Sequence, residues 1–464
     1  MKIRRSFALS MTLSTVLATF APTASAAPID TTADAVVGQA DFAGKLANRG
    51  GAAASNVTLN EPRGVAIDPV TGRLFVADAL NNRVLSWQTP ESFTNGKNAD
   101  LVIGQVNFVL NLCNRSANVL DPPARNTLCE PRSVAVDSAG RLYVADFGNH
   151  RVLRFDPPIV SKMDADQVFG QAGSFVTKNQ GIVPTADNLG NAEGVAVDGE
   201  DNLFITDLFN SRVLGFNQPA LPTEDTTADA VFGQANFTSG MANRGGNPGE
   251  KTLQRPETSC FDAEGNMYVA DNQNNRVLLY LAPLATDMSA TRVYGQPNFS
   301  TNGANQGGLT ATSMSGPVGV AIDPITGNLF VADAGNSRIL EFADPKNDST
   351  ADRVFGQGGD FTTGTANKGA PAGQASADTL NDVGGVAFDA AGRLYAGDRL
   401  NHRILRYDAP PPAEPPPPPP PPPPAADACG ACGQLGPGMA AMMPMTLVGL
   451  AAWRRVRRKR SGAD

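Results

Sequence analysis

The stretch LFVADALNNRVL at residues 74–85 combines a short β-rich run ending in Asp78, an Asn three residues later, and Arg83 at the start of a second apolar run. The arrangement recurs six times along the chain, about every 65 residues. The six pairs are Asp78 and Arg83, Asp146 and Arg151, Asp207 and Arg212, Asp271 and Arg276, Asp333 and Arg338, and Asp398 and Arg403. A repeat of this length can form one four-stranded sheet, but it is too short to bury a core alone, so the sheets must stack.

Outward from this stretch, each copy has the pattern of an antiparallel meander. In the first copy a small-residue strand at 64–68 precedes the motif, and a further run at 99–105 follows it. That last run recurs as Gly-Gln followed shortly by Phe, and the chain opens with one such run at Gly38-Gln39. We therefore predict an all-β, six-bladed β-propeller in which an N-terminal strand completes the last blade and leaves no sheet edge unpaired.

The Asp and Arg of each motif bracket the turn between the second and third strands, close enough to form an ion pair. The Asn between them is suited to a left-handed turn. A catalytic group needs a unique environment, so six copies favour a structural role for these pairs.

One position per repeat, just before the small-residue strand, differs from copy to copy. We expect these residues to surround the mouth of an axial channel, on the face that carries the long connections between blades. Their variation suits a specific binding site, although exposed charges can also do no more than solvate a rim. The six positions are Arg63, Arg132, Glu193, Glu257, Val318 and Gly384.

The long connections share a short pattern, Ala-Asn-Arg/Lys/Gln-Gly, at residues 47–51, 242–246, 304–308 and 366–369. Gly and Asn permit tight turns with positive φ. The recurrence favours loop architecture over chemistry.

The charge of the chain limits the classes of partner it can bind, and its cysteines predict local structure. Residues 27–428 carry 28 basic and 44 acidic side chains, a net charge of −16, which argues against nucleic-acid binding. Cys113 and Cys129 lie in one connection, where a disulfide is predicted and a free pair is the alternative. Cys260 takes the place of Ala66 in its repeat and is predicted to be a small buried side chain.

The repeated Gly-Val-Ala-x-Asp, Leu-Tyr/Phe-Val-Ala-Asp and Asn-x-Arg-Val/Ile-Leu segments resemble the NHL repeat, most closely at residues 133–155 and 319–342. The resemblance extends from about residue 33 to residue 408. It implies a six-bladed propeller that commonly binds proteins, nucleic acids or small ligands and occasionally is an enzyme. Glu257-Thr258-Ser259-Cys260 departs from the Gly-Val-Ala pattern and marks a distinct blade.

NHL-like enzymes hold a metal or a catalytic His near the axis. The only histidines of this chain, His150 and His402, lie inside the turn motif and are predicted to be turn residues. We therefore predict no catalytic residue, no His-rich metal site and no cofactor. Glu193 and Glu257 are the one rim pair that could hold calcium.

The two ends of the chain predict export and anchoring. Residues 1–26 have the basic start, apolar stretch and Ala-x-Ala end of a signal peptide, with an uncleaved anchor as the alternative. Residues 27–409 form the predicted propeller, and the proline-rich residues 410–428 form a stiff linker. Residues 429–464 contain Cys429, Cys432, an apolar segment and a basic end.

This tripartite end resembles a MYXO-CTERM sorting signal, which implies processing near Cys429 or Cys432 and attachment of a lipid. A permanent single span of the membrane is the alternative, because the apolar residues 435–453 could reach across about 28 Å.

We therefore predict a monomeric protein on a bacterial cell envelope that binds a protein or peptide through its long-loop face. The alternative is a calcium-assisted lyase or lactonase that acts at the channel mouth.

Overall fold

The computed structural model describes residues 29–88, 93–118, 120–217, 225–368 and 374–408. The predicted signal peptide, proline-rich linker and sorting segment, with Cys429 and Cys432, lie outside these residues. Within them, no helix is long and apolar enough to cross a membrane.

The described residues form 24 strands and short 3₁₀ helices. The strands are β1 (Ala35–Val37), β2 (Pro62–Ile67), β3 (Leu74–Asp78), β4 (Arg83–Trp87), β5 (Leu101–Ile103), β6 (Pro131–Val136), β7 (Leu142–Asp146), β8 (Arg151–Phe155), β9 (Gln167–Phe169), β10 (Ala192–Val197), β11 (Leu203–Asp207), β12 (Arg212–Phe216), β13 (Ala230–Phe232), β14 (Pro256–Phe261), β15 (Met267–Asp271), β16 (Arg276–Tyr280), β17 (Arg292–Tyr294), β18 (Pro317–Ile322), β19 (Leu329–Asp333), β20 (Arg338–Phe342), β21 (Arg353–Phe355), β22 (Val383–Phe388), β23 (Leu394–Asp398) and β24 (Arg403–Tyr407). The 3₁₀ helices are Ala47–Gly50, Ala79–Asn81, Cys113–Arg115, Phe147–Asn149, Ala242–Gly245, Asn272–Asn274, Ala334–Asn336 and Arg399–Asn401.

These strands make six antiparallel sheets of four strands, which confirms the predicted six-bladed propeller. Blades 1 to 5 follow chain order from β2 to β21, and blade 6 has the order β1-β24-β23-β22. Val36 of β1 pairs with Leu405 of β24, so the N-terminal strand closes the ring as predicted. The side chain of Gln39 reinforces the closure by donating to the backbone oxygens of Asn401 and His402.

The hydrophobic core lies between adjacent blades rather than within any one of them. One cluster, for example, joins Phe75 and Val84 of blade 1 to Leu142, Val144 and Leu153 of blade 2. The first strand of each blade contacts the first strands of both neighbours and lines the central axis. The small residues of these strands allow this close approach, since a Cβ on Gly64 would lie 2.6 Å from the backbone of Ser133.

Candidate functional site

The motif Asp and Arg residues form six fully buried ion pairs, each with its Arg Nε 2.7–2.9 Å from the Asp Oδ2. In blade 4 the guanidinium of Arg276 also donates to the backbone oxygens of Phe299, Gly249 and Thr252. Phe299 follows the blade's own Gly-Gln run, whereas Gly249 and Thr252 precede its first strand. Each arginine thus fastens the turn to the connections before and after its blade.

The motif Asn does not adopt the left-handed conformation that the sequence suggested. That conformation belongs to the next residue: Asn82, His150, Ser211, Asn275, Ser337 and His402 have φ of 48–54°. The motif Asn, such as Asn81, ends a 3₁₀ helix and donates its side-chain amide to the motif Asp. The prediction was wrong because the 3₁₀ turn shifts the sharp bend by one residue.

The motif Asn instead pairs with the Asn of the Ala-Asn-Arg-Gly pattern in five of the six blades of the described chain. Asn81 and Asn48 exchange two side-chain hydrogen bonds of 2.9 and 3.2 Å. A fifth copy of this loop, at Cys113–Arg115, escaped the sequence analysis because Cys and Ser flank its Asn-Arg. In it, Asn114 pairs with Asn149, and Cys113 forms a disulfide with Cys129.

His150 and His402 lie in the turn, at the left-handed position. The Nδ1 of His402 accepts a hydrogen bond of 3.0 Å from the backbone N–H of Glu61, which joins blade 6 to blade 1. Burial lowers the pKa of His402, which favours the neutral ring that can accept this bond. Ser337 makes the equivalent bond to the backbone of Asp382.

The rim residues lie in a β-bulge that every blade repeats. The register between the first two strands shifts across Pro62/Val65, Pro131/Ser133, Ala192/Gly194, Pro256/Ser259, Pro317/Val320 and Val383/Val386. A bulge re-aims the side chain within it. Arg63, Arg132, Glu193, Glu257 and Val318 accordingly line the axial cavity, whereas Gly384 lies against the backbone of Arg63.

Glu193 is the centre of the charges at this mouth. Its side chain is 3% exposed, accepts a 2.7 Å hydrogen bond from Arg132, and lies 3.6 Å from Arg63. Arg132 is also paired with Glu130 at 2.6 Å and stacks on the ring of Phe147. Arg132 therefore has its counter-ions within the protein, while Arg63 has one loose ion pair.

Glu257 faces the same cavity from blade 4. Burial, the nearby charge of Glu193 and a hydrogen bond with Glu193 raise the pKa of Glu257 well above its usual range, which favours the protonated form of Glu257. Burial and the neighbouring Arg132 lower the pKa of Arg63, although the group stays charged.

The cavity below the rim has a volume of about 280 Å³, and its wall is formed by the six first strands. Five blades present Val and Ala there. Blade 4 instead presents Ser259 and Cys260, so the wall has one polar stripe. Cys260 was predicted to be buried, but it is partly exposed because its strand faces the cavity.

The pair of acidic rim residues fits calcium poorly. A cation between Glu193 and Glu257 would compete with Arg132 and Arg63 for the same carboxylate. Among the described residues, no three His, Cys, Asp or Glu side chains are grouped as metal ligands.

Exposed apolar side chains are concentrated on the long-loop face. Of the 17 large apolar residues exposed in the described chain, 13 lie in its turns or connections. Most belong to blades 1 to 3 and the connections around them. They are Leu46, Leu80, Val106, Val109, Leu110, Leu112, Leu120, Val176, Ile182, Val183, Phe209, Met241 and Leu400.

Comparisons with known proteins support the fold. The family model of the NHL repeat matches residues 128–155, which cover β6 to β8. No curated protein is similar enough in sequence to match the chain. A structural genomics protein of unknown function from Bacteroides thetaiotaomicron VPI-5482 is 13% identical with a TM-score of 0.50, and the match covers 80% of this chain and 74% of that one.

Two further solved structures are similar at lower TM-scores. A streptogramin B lyase is 12% identical with a TM-score of 0.41, over 76% of this chain and 95% of that one. An auxiliary nutrient binding protein from Bacteroides thetaiotaomicron VPI-5482 is 14% identical with a TM-score of 0.46, over 75% of this chain and 69% of that one. Six antiparallel blades identify the chain as a six-bladed β-propeller, and residues 128–155 in its second blade match the NHL repeat.

Proposed function

We propose that this protein is an exported binding module whose long-loop face binds a protein or peptide partner. The observation that carries the proposal is the apolar surface of that face over blades 1 to 3 and their connections. Ile182 and Val183 are 78% and 72% exposed, and Met241 is 68% exposed. Exposed apolar groups gathered on one face of a soluble domain commonly mark an interaction surface.

The same surface is concave between two connections. A cavity of about 600 Å³ separates the connection before blade 3 from the connection before blade 4, and Ile182 and Met241 lie on its two sides. A second cavity, of about 430 Å³, lies on the other side of Ile182 and includes Val183. Two neighbouring cavities beside exposed apolar residues could accommodate side chains of a partner protein.

The test uses residues 27–408 as bait for crosslinking on intact cells, followed by binding measurements with the captured partner. We expect the double substitution Ile182→Ser and Val183→Ser to weaken binding by about tenfold or more, since buried anchors dominate such interfaces. The control is Val70→Ser with Ile325→Ser, two exposed residues on the opposite face. Equal binding by both variants would refute this surface.

Export and anchoring are part of the proposal and are supported by the sequence of the two ends. The signal peptide at 1–26 would direct export, and the proline-rich linker at 410–428 would hold the propeller away from the envelope. The MYXO-CTERM-like end would be processed near Cys429 or Cys432. Intact-mass measurement of the cell-surface form tests this, because retention of Trp453 would contradict removal of the tail.

A further inference from the structure

We infer that the mouth of the axial channel binds a small carboxylate-bearing molecule, held by the guanidinium of Arg63 and the hydroxyl of Ser259. This site is distinct from the apolar surface proposed for the protein partner, and it does not depend on that surface.

The cavity provides a bounded volume for such a ligand. At about 280 Å³ it is close to the lower limit of small-molecule sites, which span about 300–1,000 Å³. Its charged residues are at the mouth, and its wall below them is built mainly from Val and Ala, with Ile67, Val136 and Phe261 at the far end. The arrangement suits a molecule with one charged head and a short hydrocarbon body.

Arg63 is the cation of the mouth that the protein leaves incompletely paired. Its one ionic contact in the described chain is the 3.6 Å approach to Glu193, and it makes no hydrogen bond to another described residue within the usual distance. Its side chain is 18% exposed and faces the cavity. A guanidinium has five N–H donors in a planar fork, and a carboxylate accepts two of them side by side.

Ser259 supplies an independent observation. It is 7% exposed, lines the cavity, and its Oγ has no hydrogen-bond partner in the protein. The other five blades have valine at this position: Val65, Val134, Val195, Val320 and Val386. A buried hydroxyl without a partner is unfavourable relative to a well-packed apolar group, and a ligand oxygen in the cavity would satisfy it.

The charges around the mouth favour an anion over an amine. Glu193 is already shared by two guanidinium groups, and Glu130 is paired with Arg132. Arg399 is paired with Asp382 and Glu61. Glu257 lies beside Glu193, which favours the protonated form of Glu257, so this carboxyl adds no second full negative charge to the mouth. An ammonium group would have to displace an arginine to find a counter-ion.

Calorimetric titration of residues 27–408 tests the site with butyrate, butylamine and inorganic phosphate as probes. We expect saturable binding of butyrate, with butylamine and phosphate each weaker by about tenfold or more, a difference of about 1.4 kcal/mol. The inference would be overturned if butyrate showed no saturable binding, or if butylamine or phosphate bound more tightly than butyrate.

Three variants place the ligand in the channel. Arg63→Gln should weaken butyrate by about tenfold or more because it removes the charged fork. Ser259→Val introduces the valine found in the other blades. It should weaken butyrate binding, and it should raise Tm because it removes a buried hydroxyl without a partner. Arg73→Gln is the control, since Arg73 pairs with Asp100 away from the channel and should leave binding unchanged. Unchanged binding in both Arg63→Gln and Ser259→Val would place butyrate elsewhere and contradict the inference.

Failure of this site and failure of the protein-binding surface are distinguishable. The double variant at Ile182 and Val183 should retain butyrate binding, and Arg63→Gln should retain the protein partner.

Discussion

Each motif arginine is a buried charge that the protein surrounds with oxygen atoms. Arg276 is fully buried, and each of its three side-chain nitrogens donates at least one hydrogen bond, to the carboxylate of Asp271 or to one of three backbone carbonyls. The carboxylate in turn accepts bonds from the backbone of Gln254 and the side chain of Asn274. A buried ion pair adds little stability over an apolar pair, but loss of one partner leaves an uncompensated charge.

Arg276→Ala should therefore lower the free energy of unfolding by about 3–5 kcal/mol. Urea denaturation of residues 27–408 measures the change. The control is Arg73→Ala, whose partner Asp100 is 41% exposed, and for which we expect about 0–1 kcal/mol. A similar small loss in both variants would remove the proposed role of the motif in fastening the turn.

Glu257 should make stability depend on pH. Its pKa is raised in the folded state by burial first and then by Glu193. The charges of Arg63 and Arg132 oppose this rise, and the charge of Arg399 also interacts with Glu257. The folded chain therefore keeps a proton that the unfolded chain releases. The protonated Glu257 therefore stabilises the folded chain fully below the ordinary carboxyl pKa, and this stabilisation is lost as the pH rises through the raised pKa of the folded state.

Glu257→Gln cannot lose this proton, so its stability relative to the native chain should increase as the pH is raised from mildly acidic to mildly alkaline. Denaturation at a series of pH values measures the difference. Glu264→Gln is the control, because Lys346 lowers the pKa of that exposed carboxyl and the trend should be absent. A pH-independent difference for Glu257→Gln would show that this carboxyl titrates normally.

At the scale of elements, the long connections are fixed by contacts repeated in almost every blade. The Gly-Gln run illustrates this: Gln105 donates to the backbone oxygens of Asn82 and Leu112 and so ties a turn to a connection. Gly104 has φ of 89°, and a Cβ there would lie 2.6 Å from Leu128. The positive φ and the close approach both require glycine.

The disulfide strengthens one connection further. Cys113 and Cys129 are 16 residues apart, and closing a loop of that length restricts the unfolded chain by about 3 kcal/mol. We expect the double substitution Cys113→Ser and Cys129→Ser to lower stability by up to that amount. A reductant should reproduce the loss in the native chain and have no further effect on the double variant. Equal stability with and without reductant in the native chain would contradict the prediction.

At the scale of the whole molecule, stability depends on closing the ring. Val36 and Val37 are fully buried, and together with Ala35 they cover the edge of β24. The same junction includes the bond from Arg403 to the backbone of Phe42. Full burial of a valine contributes about 1.5–3 kcal/mol, and an uncovered strand edge promotes association between molecules.

A chain that starts at Gln39 should therefore unfold at a lower temperature and aggregate, whereas a chain that starts at Ala27 keeps the buried Ile29 and β1 and should behave like the full propeller. Thermal unfolding with light scattering separates the two. If both chains remained soluble with the same Tm, β1 would not be the closing strand.

Much of the fold was predictable because the same short sequence pattern, with its turn and strand signals, occurs in six copies. The Asp-Arg spacing predicted the turn, and the early Gly-Gln run predicted closure by an N-terminal strand. The left-handed residue was misplaced by one position, since Asn81 and Asn82 are both compatible with a turn and only the 3₁₀ geometry distinguishes them. The reciprocal pairing of Asn48 with Asn81 was also missed, because it joins residues 33 positions apart.

The sequence by itself determined the number of blades, the pairing of the repeated Asp with Arg, and five of the six positions that line the rim, because these follow from period and local hydrogen bonding. Only the tertiary structure decided which rim charges meet. Arg63, Arg132 and Glu193 belong to three different blades, and the bulge in each first strand turns them toward one cavity. The ring's curvature sets the distances among them, and the packing of all six blades together creates that curvature.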